Sequence, residues 1–192
     1  MSVLPEKKFV TPDEYLEFER AALEKHEYLN GEIFAMSGAS LRHGRISANI
    51  TTSFGQQFKK GSCEVFHSDL RVHIPRTGLF TYPDIIVVCG NPQLRDDAFL
   101  DTLLNPDMIL EVLSPSTQDY DRGDKFEHYR TVESLKEYVL IWQDKKRAAR
   151  YSKQDSGSWV LTDFIGEDSV IELTSVKGLL SFEDIYDKVK FD

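Results

Sequence analysis

The chain is poor in cysteine, in long apolar runs and in positive charge, and each shortage excludes something. Of its 192 residues only Cys63 and Cys89 are cysteines. They are too few and too far apart in sequence for a disulfide framework or a cysteine-based zinc site, so both are expected as buried free thiols. No segment approaches the ~18 apolar residues that a membrane-spanning helix needs, and the opening MSVLPEKKFVTPDEY lacks the apolar core of a signal peptide. A cytoplasmic protein with no membrane partner is the expectation. Lys and Arg number 23 against 32 Asp and Glu, a formal net charge of −9. That balance argues against a protein that coats nucleic acid through net attraction, because phosphate is bound by Lys and Arg. A nucleic-acid role would need a local basic patch. The sequence also has no Gly-rich nucleotide-cradling loop, internal repeat or low-complexity segment.

What is present is the composition of an ordinary folded protein, with 41% hydrophobic, 29% charged and 11% aromatic residues. The length suits one domain, residues 1–192, with a sizeable core. TPDEYLEFERAA places a Thr cap at Thr11, Pro at the first helical position and Glu14 three residues after the cap, which predicts a helix from Pro12 to about Ala22. In HEYLNGEIFAMSG, Asn30-Gly31 separates two short alternating runs and predicts a hairpin with strands near 26–29 and 32–36. Ile46, Ile50, Phe54 and Phe58 recur every four residues, so 40–60 reads as an amphipathic helix. CEVFHSDLRVHI alternates like one or two strands, and three runs read as buried strands: Tyr82 to Cys89, MILEVL (108–113) and EYVLIW. Residues 91–107 read as a loop with one helical turn near Phe99 to Leu104, and KFEHYRTV as a helix. RAARYSKQDSGSWVLTDFI followed by DSVIELTS predicts an antiparallel hairpin with an added strand. Apolar strands in the middle and alternating ones at the rim imply an α/β or α+β fold, a mixed sheet flanked by helices with peripheral antiparallel hairpins.

Two acids interrupt the apolar strands. Asp84 stands at the mouth of the first and Glu111 inside the second. Alone, each is explained as a helix cap or an arginine's partner. Together, in strands where an unpaired carboxylate is costly, they make a pair suited to a hard divalent cation such as Mg²⁺. Arg122, Lys125 and Tyr129, at i, i+3 and i+7, would share one helix face with Phe126 and Val132 turned to the other. If that helix packs back over the sheet, Lys125 reaches Glu111 and can polarise a water or a phosphate. The one basic cluster, Lys145, Lys146, Arg147, Arg150 and Lys153, suits either a phosphate track or, more simply, a defended hairpin edge. Trp142 and Trp159 are expected in the core.

Pro83-Asp84 followed by Glu111-Val112-Leu113 resembles the PD-(D/E)XK motif of restriction-endonuclease-like nucleases, in which an Asp and a Glu on adjacent strands bind Mg²⁺ and a Lys activates the attacking water. Leu113 stands where that Lys belongs. Some branches of the superfamily supply it from the following helix, and Lys125 is placed for that substitution. HEYLNGEIFAMSGAS, SDLRVHI, YPDIIVVCG, LEVLSPSTQDYDRGDKFEHYR and EYVLIW resemble the successive blocks of the Uma-two family of endonucleases, from about Thr11 to Leu180. The resemblance implies a restriction-endonuclease-like central sheet, Mg²⁺ (or Mn²⁺) on Asp84 and Glu111, DNA as the partner and a homodimer. It adds Glu27 as an early acid completing the metal site and Asp69 as a supporting residue paired with Arg71 or Lys125. His43, ahead of the amphipathic helix, would face the cleft alongside Arg122 and Tyr129. The competing reading is a nuclease fold that no longer cuts and serves as a binding or dimerisation module, which draws on the acidic charge and on Leu113.

Overall fold

The computed structural model describes residues 9–191. Helix α1 (Pro12–Ala21) starts where the capping box predicts: the Thr11 hydroxyl accepts from the Glu14 N–H, and the Glu14 carboxylate accepts from the Thr11 N–H. Strands β1 (His26–Leu29) and β2 (Glu32–Ala35) are joined by Asn30 at φ 50° and Gly31 at φ 87°, the two positive φ values a type I′ hairpin requires. Helix α2 (Leu41–Phe58) buries the four-residue stripe Ile46, Ile50, Phe54 and Phe58. Each of these side chains contributes roughly 1.5–3 kcal/mol, so the helix is held firmly against the sheet.

The chain continues through β3 (Cys63–His67), β4 (Arg71–Ile74), β5 (Leu79–Thr81), β6 (Ile85–Cys89), β7 (Thr102–Leu103), β8 (Met108–Leu113), α3 (Gln118–Arg122), α4 (Asp124–Tyr129) and β9 (Glu137–Trp142). It closes with β10 (Arg147–Lys153), β11 (Trp159–Ile165), β12 (Val170–Leu173), β13 (Gly178–Ser181) and α5 (Phe182–Ile185). The larger sheet has the order β11-β10-β9-β8-β6-β3, with β8 and β9 parallel and the other pairs antiparallel. Both faces of β8 and β9 are covered, which is why their sequences read as unbroken apolar runs. On one face, α2, α5 and the β12–β13 pair close a core that includes Val87, Leu110 and Ile141. On the other, Ile109 and Leu113 of β8 pack with Phe126 and Tyr129 of α4. A smaller sheet, β2-β1-β5-β4-β7, packs Tyr28 and Phe80 against Tyr15 and Leu16 of α1. Among the described residues no helix is long and apolar enough to cross a membrane.

Several expectations are corrected. Cys63 and Cys89 face each other in the β3–β6 register and form a disulfide. Their separation of 26 residues made them look unrelated, but strand pairing brings them together. The helical turn near Phe99 to Leu104 is absent; Thr102 and Leu103 instead pair with β4 as β7. The strand expected to extend the last hairpin forms its own two-stranded sheet, β12 with β13. The helix expected over KFEHYRTV ends at Tyr129, and Gly123 separates it from α3.

Candidate active site

The site forms where β6 and β8 diverge beneath the end of the β1–β2 hairpin and the start of α2. Pro83 leads the chain to Asp84, immediately ahead of β6, and Glu111 lies one strand away on β8. The two acids clasp each other's backbone. Asp84 Oδ2 accepts from the Val112 N–H at 2.8 Å, and Glu111 Oε2 accepts from the Asp84 N–H at 3.2 Å. This reciprocal pairing orients both carboxylates through the strands themselves.

Lys125 completes the group. Glu111 points to the β8 face that also carries Ile109 and Leu113, the face on which α4 packs. There Lys125 Nζ lies 3.0 Å from Glu111 Oε1, 3.3 Å from Glu27 Oε1 and 3.4 Å from Asp121 Oδ1. The Tyr129 hydroxyl donates to Glu111 Oε1 at 2.8 Å, and the Thr81 hydroxyl donates to Glu27. His43, in the first turn of α2, brings Nε2 to 2.9 Å from Asp84 Oδ1, a close polar contact that lacks a hydrogen bond's alignment. The N-cap of that helix, Ser40, donates to Gln143 at 2.6 Å, tying the start of α2 to the end of β9. A cavity of about 540 Å³ opens onto Glu27, His43, Asp84, Glu111, Asp121 and Lys125.

Burial sets the electrostatics. It pushes the Glu111 carboxyl up to about 8, with the Lys125 charge opposing the rise and Asp84 and Asp121 adding to it. It also raises Asp84, against the pull of His43 and the Val112 N–H. For Lys125, burial works against the ammonium, but Glu111, Tyr129, Glu27 and Asp121 outweigh it and hold the group well above its ordinary value. The proton therefore stays on Lys125. The donors facing the cavity are hard carboxylate oxygens, and a divalent cation on Asp84 and Glu111 would favour the ionised forms that burial alone disfavours. That chemistry fits a divalent cation. Among the described residues, no three His, Cys, Asp or Glu side chains converge as ligands. A cation here would take the two carboxylates of Asp84 and Glu111, with water and phosphate oxygens supplying the rest, which is the habit of Mg²⁺.

The geometry thus brings together Asp84, Glu111, Lys125, Glu27, His43 and Tyr129, and it sets two other candidates apart. Asp69 is on the surface, its side chain 69% exposed, paired with Lys25 and near His67. It does not reach Arg71 or Lys125: Arg71 instead bonds Tyr82, Thr102 and Asp101. Arg122 is exposed at the end of α3, over the Trp142 ring at 5.8 Å. The break at Gly123 removes the shared helix face that spacing assigned to Arg122 and Lys125, and Phe126 is buried beside Lys125 and Tyr129. Asp121 was missed, although its position four residues before Lys125 is the spacing of a helical ion pair. Four of the five residues of the basic cluster are engaged locally: Lys146 with Glu167, Arg147 with Asp163, Arg150 near Glu137, and Lys153 with the Glu133 carbonyl.

A mixed sheet with helices on both faces and a carboxylate pair at the parting of two central strands defines a restriction-endonuclease-like α+β fold. A solved structure from Anabaena variabilis ATCC 29413, titled a putative nuclease belonging to DUF820, superimposes with a TM-score of 0.77 at 20% identity, covering 94% of this chain and 99% of that one. Residues 12–182 match the model of the Uma2 family, described as "Putative restriction endonuclease", and the chain belongs to that family. Two Synechocystis sp. (strain ATCC 27184 / PCC 6803 / Kazusa) proteins, sll1609 and slr1290, both called uncharacterized, are similar over nearly their whole lengths. The first is 36% identical, covering 92% of this chain and 99% of its own, and the second is 37% identical, covering 95% and 94%.

Proposed function

We propose that the protein is a metal-dependent endonuclease that hydrolyses DNA phosphodiester bonds, with Mg²⁺, or Mn²⁺ in its place, on Asp84 and Glu111 and with Lys125 assisting the attacking water. The observation that carries this reading is the 3.0 Å contact between Lys125 Nζ and Glu111 Oε1 inside the cavity. It supports a helix-borne lysine in the role that Leu113, an apolar residue buried in β8, cannot fill. A bound cation would supply Lewis acidity, neutralising charge on the phosphate and lowering the pKa of a water. The chain's own residues do the rest. Tyr129 and the Asp84 N–H each hold one oxygen of Glu111, so the carboxylate cannot swing away. Glu27 and Asp121 fix the Lys125 ammonium from either side, leaving a preorganised positive charge for the developing oxyanion or its nucleophile. His43 steadies Asp84 from the α2 side.

Cleavage of DNA in Mg²⁺, with single-stranded and duplex circles offered side by side, tests the reading. Lys125→Met should lower the rate roughly 100-fold or more, while Mn²⁺ binding by calorimetry persists. The competing reading, a non-cutting binding or dimerisation module, rests on Leu113 and on the engagement of Lys125 by three carboxylates. It predicts that the unmutated protein neither cleaves DNA nor binds Mn²⁺.

A further inference from the structure

Phe34 stands directly opposite Glu27 in the β1–β2 register, so the two side chains share one face of the hairpin. On that face Glu27 meets Lys125, and Phe34 lines the mouth of the same cavity while remaining 47% exposed. An aromatic ring is thus held over the entrance to a charged site, on a strand rather than a floppy loop. The site beneath it is deep, with Glu111 only 4% and Lys125 only 5% exposed. At about 540 Å³ the cavity has the size of a small-ligand pocket, room for about one or two nucleotides. The charge around it is wrong for gripping a duplex. The chain carries −9 overall, and Lys25, Lys146, Arg147 and Lys153 are paired with carboxylates or carbonyls. A protein that holds both strands of a duplex does so by neutralising several phosphates with Lys and Arg. A single strand needs fewer such contacts, and its unpaired bases can add affinity by stacking on an aromatic ring.

We propose that the substrate seated in this cavity is single-stranded DNA, its phosphate turned inward toward Lys125 and one base stacked on Phe34 at the mouth. The inference rests on the nuclease reading of the same site and specifies the form of its substrate. A cut made one strand at a time does not require two copies of the chain on a duplex.

Fluorescence anisotropy of a short labelled oligonucleotide, with the full chain in Ca²⁺, reads binding separately from cutting. The single strand should bind at least about tenfold more tightly than the duplex of the same sequence. Phe34→Ala should weaken single-strand binding at least about fivefold, the low end of what one stacked base contributes, and Phe34→Trp should restore it. The salt slope should be shallow, about −0.7 for each of one or two phosphates. Phe34 is half exposed near the hairpin's end, and circular dichroism checks that each variant folds. Equal or tighter duplex binding, no binding of either form, or an unaffected Phe34→Ala each overturns the proposal. A parallel cleavage assay in Mg²⁺ separates the two claims. Single strand bound but never cut removes the hydrolysis and keeps this inference, whereas duplex preferentially cut, with Phe34→Ala as active as the parent, does the reverse.

Discussion

Lys125 is an expensive residue to bury, because stripping water from an ammonium costs several kcal/mol unless carboxylates replace it. Here Glu111, Glu27 and Asp121 do so. Removing the ammonium would leave acids crowded together in a poorly hydrated site. Lys125→Met is therefore expected to lower stability by about 3–5 kcal/mol in urea denaturation. Adding Glu111→Gln should recover part of that loss without recovering activity; no recovery would mean the two residues are not coupled. His73 gives a separate effect at the residue scale. It stacks on Phe80 with ring centroids 3.9 Å apart, and burial, helped by the charge of Arg95, pushes it down to about 4. An unfolded histidine titrates near 6.5. As pH falls from about 6.5 to 4, the unfolded chain takes up a proton that the folded one refuses, so stability drops through that window and is untouched above it. Thermal melts of His73→Phe should show a flatter decline between pH 7 and 5 than the parent; identical declines would count against the buried neutral imidazole.

At the scale of elements, the hairpin that carries Glu27 and Phe34 depends on Gly31. A Cβ there would meet Phe9 Cδ2 at 2.2 Å, and φ is +87°. Gly31→Ala should cost about 1–2 kcal/mol from the left-handed backbone alone, more if Phe9 cannot shift, and a falling melting temperature checks it. The Cys63–Cys89 disulfide fastens edge strand β3 to β6. Its 26-residue separation predicts a loss of about 3.5 kcal/mol in a Cys63→Ser, Cys89→Ser double variant. An unchanged melting temperature would show that strand pairing alone suffices. The elements legible in the sequence are those with local signals: the capping box of α1, Asn30-Gly31, and the four-residue stripe of α2. Those that escaped are fixed from outside. β5 and β7 have three and two residues and exist because β4 pairs with them, and β12 needs β13 rather than β11. Gly123 was visible, but nothing local says that α3 and α4 are two helices rather than one.

At the scale of the whole molecule, the candidate site draws on β1, α2, β6, β8, α3 and α4. Much of it was legible because burial makes rare residues conspicuous: an acid in MILEVL and another before IIVV stand out against their neighbours. Lys125 was harder to read, since its partners come from three elements, and periodicity alone grouped it with Arg122, which is elsewhere. Asp69 misled for the opposite reason. Its neighbour Arg71 points into the smaller sheet's polar network, while Asp69 itself sits in the turn ahead of β4 and turns outward to Lys25. Asp84 and Glu111 are proposed to act together as one metal-binding pair, and Mg²⁺-dependent cleavage of DNA by Asp84→Ala and Glu111→Ala beside the parent tests that pairing. Both variants should fold and both should lose cleavage; cleavage undiminished in either folded variant would rule the pair out.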